Sequence, residues 1–81
     1  MGIHGRRSRG PAGFAVCIQN GEYDADLTVG KIYRVVEPER HDEPSDIRVI
    51  DESGEDYLYP RGWFVPVDLP VKAKRALATA R

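Results

Sequence analysis

The segment GEDYLYPRGWF, Gly54 to Phe64, crowds Tyr57, Tyr59, Trp63 and Phe64 into eleven positions beside a proline and two glycines. EDYLY reads as a strand, whose alternation of side-chain direction puts Tyr57 and Tyr59 on one face and Leu58 on the other. Pro60-Arg61-Gly62-Trp63 then breaks it, and the interruption is long enough only for a tight bend or one turn of 3₁₀ helix. FVPV resumes as a short strand, with its proline tolerable at an edge or an end. Strand, 3₁₀ turn, strand is thus the unit from which the rest of the chain is read. Two roles compete for the four rings: closing a very small core, or holding a partner.

Working outward, IRVID precedes this unit and is joined to EDYLY through Glu52-Ser53-Gly54. That is a short hairpin connection with a glycine placed for positive φ. LTVGKIYRVVE reads as a further strand, β-branched and aromatic, with Gly30 as a bend or bulge. FAVCI is an apolar run of strand length, and QNGEYDAD between the two carries the Asn-Gly turn signal. EPERHDEPSD holds two prolines and six charged residues, which makes it an exposed loop. Five short strands without helical periodicity before residue 70 predict an all-β chain, a small five-stranded antiparallel barrel with a 3₁₀ turn near residues 60–63.

Residues 1–13, MGIHGRRSRGPAG, offer Ile3 as the only strongly apolar side chain and are expected to form a disordered basic tail. Residues 14–70 are the expected barrel. Residues 71–81, VKAKRALATAR, are rich in helix formers but short, so a frayed helix is the most structure predicted there.

Eighty-one residues make one domain, and a chain of this size buries only about 60% of its unfolded surface. Most large apolar side chains are therefore needed inside. A single cysteine, Cys17, precludes an internal disulfide, and without a secretory signal the expected setting is the cytoplasm. The apolar runs are far short of the roughly twenty residues that cross a bilayer. The net charge of −1 conceals an uneven layout. All thirteen acids lie between Glu22 and Asp68 against five cations, while both ends are purely basic. An acidic body repels phosphates, so any nucleic-acid contact is expected from the tails: Arg6, Arg7 and Arg9 in one, Lys72, Lys74 and Arg75 in the other. An acidic face that binds a basic partner is the third alternative.

The order LTVGKIYRVV, interrupted hairpin, GEDYLYPRGWFVPV resembles the SH3-like barrel family across about Phe14 to Pro70. It is similar in particular to small uncharacterised bacterial and phage proteins with a GK-x-Y-x-V strand before an I-D-E-S-G-E-D-Y-L-Y-P segment. The resemblance implies that Gly30 stands at the turn before the central strand and that Tyr33, Val35, Tyr59 and Phe64 point inward. It matches Pro60 and Trp63 to the proline and aromatic that help line the peptide groove of proline-recognising members. The opposite wall of that groove is missing. FAVCI lacks the paired tyrosines, the connector Ile18 to Leu27 is short, and no tryptophan opens the strand at Ile47. Binding of PxxP ligands is therefore not expected.

The expected role is a non-catalytic protein-interaction module, probed at Pro60, Trp63, Tyr57 and Tyr23, because tryptophan and tyrosine are enriched among binding hot spots. The alternative is a nucleic-acid accessory protein gripping phosphates through its basic tails. No catalysis is expected, since no Ser, Cys or Lys stands in a nucleophile motif beside a base. No cofactor or metal is expected either. His4, His41 and Cys17 lack zinc spacing, and Asp51, Glu52, Glu55 and Asp56 around Gly54 miss the calcium-loop pattern. Those four acids are expected to form a solvated hairpin tip, and Cys17 to be a small core residue. The chain is expected to act as a monomer with an unidentified protein partner.

Overall fold

The computed structural model describes residues 12–79, with side chains through Leu77. Five strands form one antiparallel sheet: β1 Gly13–Cys17, β2 Ile32–Val35, β3 Asp46–Ile50, β4 Asp56–Pro60 and β5 Phe64–Val67. Arg61–Trp63 make the predicted 3₁₀ turn between β4 and β5, and a helix, α1, spans Val71–Thr79. The spatial order is β4-β3-β2-β1-β5, so β1 is bonded to both β2 and β5. Among the described residues no helix is long and apolar enough to cross a membrane.

Period-two alternation decides which side chains meet. Ala15 and Cys17 on β1, Tyr33 on β2, Ile47 and Val49 on β3, Tyr59 on β4 and Phe64 on β5 converge with Leu27 in one buried cluster. Val35 and Trp63 pack against it, partly buried. The four inward positions implied by the resemblance therefore all reach the core, Val35 at its margin. Each fully buried aliphatic here contributes about 1.5–3 kcal/mol of apolar transfer, so a handful of side chains carries the fold. Phe14 is buried as well, but on the opposite face of β1.

Three expectations are corrected. LTVGKIYRVVE is strand only from Ile32, because residues 27–31 make other bonds. Leu27 N–H donates to Tyr23 O (2.8 Å), its carbonyl accepts from Asn20 Nδ2 (2.9 Å), and Gly30 adopts φ +92°. Leu27 thereby leaves the strand and becomes a fully buried plug held by its own loop. The hairpin tip is not wholly solvated: Asp51 is 5% exposed, and the connection runs from Asp51 to Glu55 with Gly54 at φ +87°. The first tail is expected to reach residue 13, but β1 begins at Gly13 and Ala12 N–H already donates to Val35 O (2.6 Å); residues 1–11 lie outside the described residues.

Candidate functional site

Trp63 is placed by three anchors. Arg61 ties the 3₁₀ turn to the segment before β3, its backbone N–H donating to Ser45 O (2.9 Å) and its guanidinium to Pro44 O (3.0 Å) and Asp46 O (2.8 Å). The Trp63 carbonyl accepts from Ile18 N–H at 2.8 Å, which locks the turn to the end of β1. The indole then lies over Gly21. A Cβ built there would sit 2.7 Å from Trp63 Cη2, and Gly21 has φ +56°, so only glycine meets both conditions.

The same turn aims Tyr23 at the indole. Asn20 O accepts from Tyr23 N–H, and Tyr23 O accepts from Asp26 and Leu27, which curls the loop back over the sheet. Three rings gather as a result. Tyr59 and Trp63 stack with centroids 6.2 Å apart, Tyr23 meets Tyr59 edge-on at 5.6 Å, and Tyr23 tilts against Trp63 at 6.1 Å. Such pairs add about 0.5–1.5 kcal/mol beyond area burial. Tyr59 is buried and Trp63 half-buried, whereas Tyr23 is 51% exposed. The group runs from core to solvent.

Acidic turns border it. Asp26 O accepts from Glu52 N–H at 2.9 Å, so the 21–27 loop docks against the β3–β4 connection. Tyr59 Oη donates to Asp51 Oδ2 at 2.6 Å, and Asp51 Oδ1 accepts from Ser53 N–H (2.9 Å) and Ser53 Oγ (2.5 Å). Burial, then the Asp51 bond and charge, and the more distant Asp26 charge push the Tyr59 hydroxyl well above the usual phenol range. Tyr57 donates to Glu55 Oε1 at 3.3 Å, and the charges of Glu55 first, then Asp51 and Asp26, raise its hydroxyl too. Both tyrosines thus feel negative potential from the loop and the hairpin at once.

Of the four predicted contact residues, the fold brings Tyr23 and Trp63 together. Pro60 is exposed at the end of β4, next to the turn, and Tyr57 lies two residues before Tyr59, 49% exposed. Tyr57 makes no ring contact among the described residues. Two members were not anticipated: Tyr59 serves core and site together, and Gly21 gives the indole its seat. The Asn-Gly turn signal marked the glycine, but not the ring above it. Lys72, Lys74 and Arg75 lie exposed on α1, away from the rings in sequence, and Arg6, Arg7, Arg9 and His4 fall outside the described residues. Cys17 is fully buried. Burial raises its thiol pKa, partly offset by its hydrogen bond to Gln19 O. His41 is exposed in the charged loop.

In comparisons with known proteins, no family model, no curated protein and no solved structure matches this chain.

Proposed function

We propose that the chain is an SH3-like barrel that works as a non-catalytic protein-interaction module, with Tyr23, Trp63, Pro60 and Tyr57 as its contact surface. The strand order, with β1 bridging β2 and β5 and a 3₁₀ turn linking β4 to β5, supports the architectural part of this reading. The observation that carries the functional part is the continuous run of rings from buried Tyr59 through Trp63 to exposed Tyr23. A contact surface of this kind is rigid before the partner arrives. Both sides of the indole are fixed by Gly21 and Tyr59, so little side-chain entropy is lost on binding. Large aromatics anchored in this way are the residues that dominate interfaces.

Selection of phage-displayed random peptides on the full chain tests the reading, with Tyr23→Ala and Trp63→Phe as counter-screens after circular dichroism has verified their folds. Peptides that bind the native chain and lose affinity for Tyr23→Ala are expected. Enriched peptides that bind every variant equally reject the surface.

A second reading, phosphate contact through the basic tails, draws on exposed Lys72, Lys74 and Arg75 on a helix that carries no acid. A low-salt gel shift comparing the native chain with Lys72→Glu/Lys74→Glu separates it from the first. Loss of a shifted band in the double variant supports the tails, and equal or absent shifts in both reject them.

A further inference from the structure

Asn20, the only asparagine of the chain, stands immediately before Gly21. Its side chain ties the two ends of the loop together, Nδ2 donating to the carbonyl of fully buried Leu27 at 2.9 Å. Its main-chain carbonyl accepts from Tyr23 N–H at 2.8 Å. Gly21 is required for a different reason, since it combines φ +56° with an indole atom 2.7 Å from where a Cβ would stand. The fold therefore needs both members of a chemically labile pair. We infer that Asn20 is a deamidation site, kept closed by the native loop, whose conversion releases that loop irreversibly. The site is independent of what the rings bind.

A glycine after asparagine leaves the next backbone nitrogen unshielded by a side chain. Hydroxide removes the Gly21 N–H proton, and the nitrogen attacks Asn20 Cγ. A new N–Cγ bond forms, the Cγ–Nδ2 bond breaks, and Nδ2 takes a proton from water and departs as ammonia. The five-membered imide then takes up one water. Opening at Cγ leaves an aspartate in the original backbone. Opening at the main-chain carbonyl leaves an isoaspartate, whose chain runs through Cβ and Cγ. One water is consumed and one ammonia released, with no change of oxidation state.

The native loop opposes each step. The Asn20 carbonyl and the Gly21 nitrogen share one planar peptide group, which Tyr23 N–H holds by its oxygen. The indole covers the glycine, and Nδ2 cannot leave without giving up Leu27 O. Attack therefore requires the loop to open, and its rate follows the open population. After conversion the old closure is lost. An acceptor-only carboxylate faces the Leu27 carbonyl where a donor stood, and it adds charge beside exposed Glu22 and Asp24. The isoaspartate form also lengthens the backbone of a turn that has no spare room beneath Trp63. Leu27 in the core and Trp63 on its glycine lose their restraint together.

Incubating the full chain in mildly alkaline buffer, native or in denaturing guanidinium, tests the inference. Mass spectrometry of the peptide bearing Asn20, fragmented to separate it from Gln19, follows the conversion. Aspartate and isoaspartate are expected in both samples, forming about tenfold or more slowly in the native one. Asn20→Gln, whose longer side chain closes a larger ring, should stay unconverted. The converted native chain, isolated by ion exchange, should show a shifted Trp63 indole N–H resonance and faster exchange of the Leu27 amide, with β2 to β4 unchanged. Asn20→Asp should reproduce the aspartate form. Equal rates in the two samples overturn the gate, and no conversion in guanidinium overturns the site. A converted chain with native Trp63 and Leu27 signals, or one that unfolds as a whole, overturns the release of the loop.

Discussion

On the face of the sheet turned away from the core, Arg48 grips Asp42 with two nitrogens (2.7 and 2.9 Å) and Asp56 with a third (3.0 Å), with Glu39 at 3.9 Å. On the core face, the tyrosines do the holding. Tyr59 donates to Asp51 and Tyr33 to Glu52, each at 2.6 Å, the latter beside Lys31. The first arrangement cancels charge. Asp42 Oδ2 also accepts from Glu39 N–H (2.8 Å), so the arginine fixes the exposed 37–45 loop and leaves little potential behind. The second arrangement satisfies the hydrogen bonds of Asp51 without bringing a cation to it among the described residues. One face is a closed structural clamp. The other holds its buried Asp51 by neutral donors alone.

The tyrosine side is the more fragile, and its weakest point is Gly21. Gly21→Ala should cost about 2–4 kcal/mol, combining positive-φ strain with displacement of the indole. Gly54→Ala meets open space and carries only the φ penalty, about 1–2 kcal/mol. Urea unfolding of the two variants measures the difference. Equal losses would show that the Trp63 contact matters little.

Next in size, Tyr59→Phe removes the hydroxyl donor of a buried carboxylate and should destabilise by about 1–3 kcal/mol. Tyr57→Phe, at an exposed 3.3 Å bond, should stay within about 0.5 kcal/mol. Thermal melts distinguish them, and a comparable drop in both would erase the proposed asymmetry between core-linked and surface tyrosines.

The arginine side should reveal itself in acid. The Arg48 bonds hold the Asp42 carboxyl at about 2, below its usual value near 3.8. Lys31 and then Tyr33 lower Glu52 in the same sense. A depressed folded-state pKa contributes stability that is complete above the unfolded value, about 4, and lost as pH falls through the folded one. Stability should therefore decline from roughly pH 4 towards pH 2. In Arg48→Met that decline should be shallower, the starting stability being lower; an unchanged slope would remove Asp42 from the account.

The smallest effect concerns Cys17, which touches neither arrangement. Its buried, raised thiol should react with a disulfide reagent only at the rate of global opening, so labelling should track unfolding across the variants above. Fast labelling of the native chain at neutral pH would contradict the burial.

Much of the fold was legible because it depends on period and punctuation. The short β-prone runs IRVID and EDYLY, the glycine at 54 and the Pro60 break specify two strands, a turn and a 3₁₀ step with boundaries correct to one residue. The site was legible only in part. Trp63 and Tyr23 stand forty residues apart, and nothing local says that a loop will carry one onto the other. Asp51 was misread for a related reason. In sequence it is one of four acids around a glycine, and only the reach of the Tyr59 hydroxyl from the neighbouring strand draws it inside.

Residue order by itself determined the strands, the turn at Trp63 and the segregation of acids from basic ends. These follow from side-chain period, backbone restrictions and composition, all properties of neighbours along the chain. Tertiary structure alone decided that Leu27 plugs the core, that Gly21 seats the indole, and that the acids of two distant turns share one aromatic surface. Each of these depends on distance through space, set when the 21–27 loop closes against the β3–β4 connection.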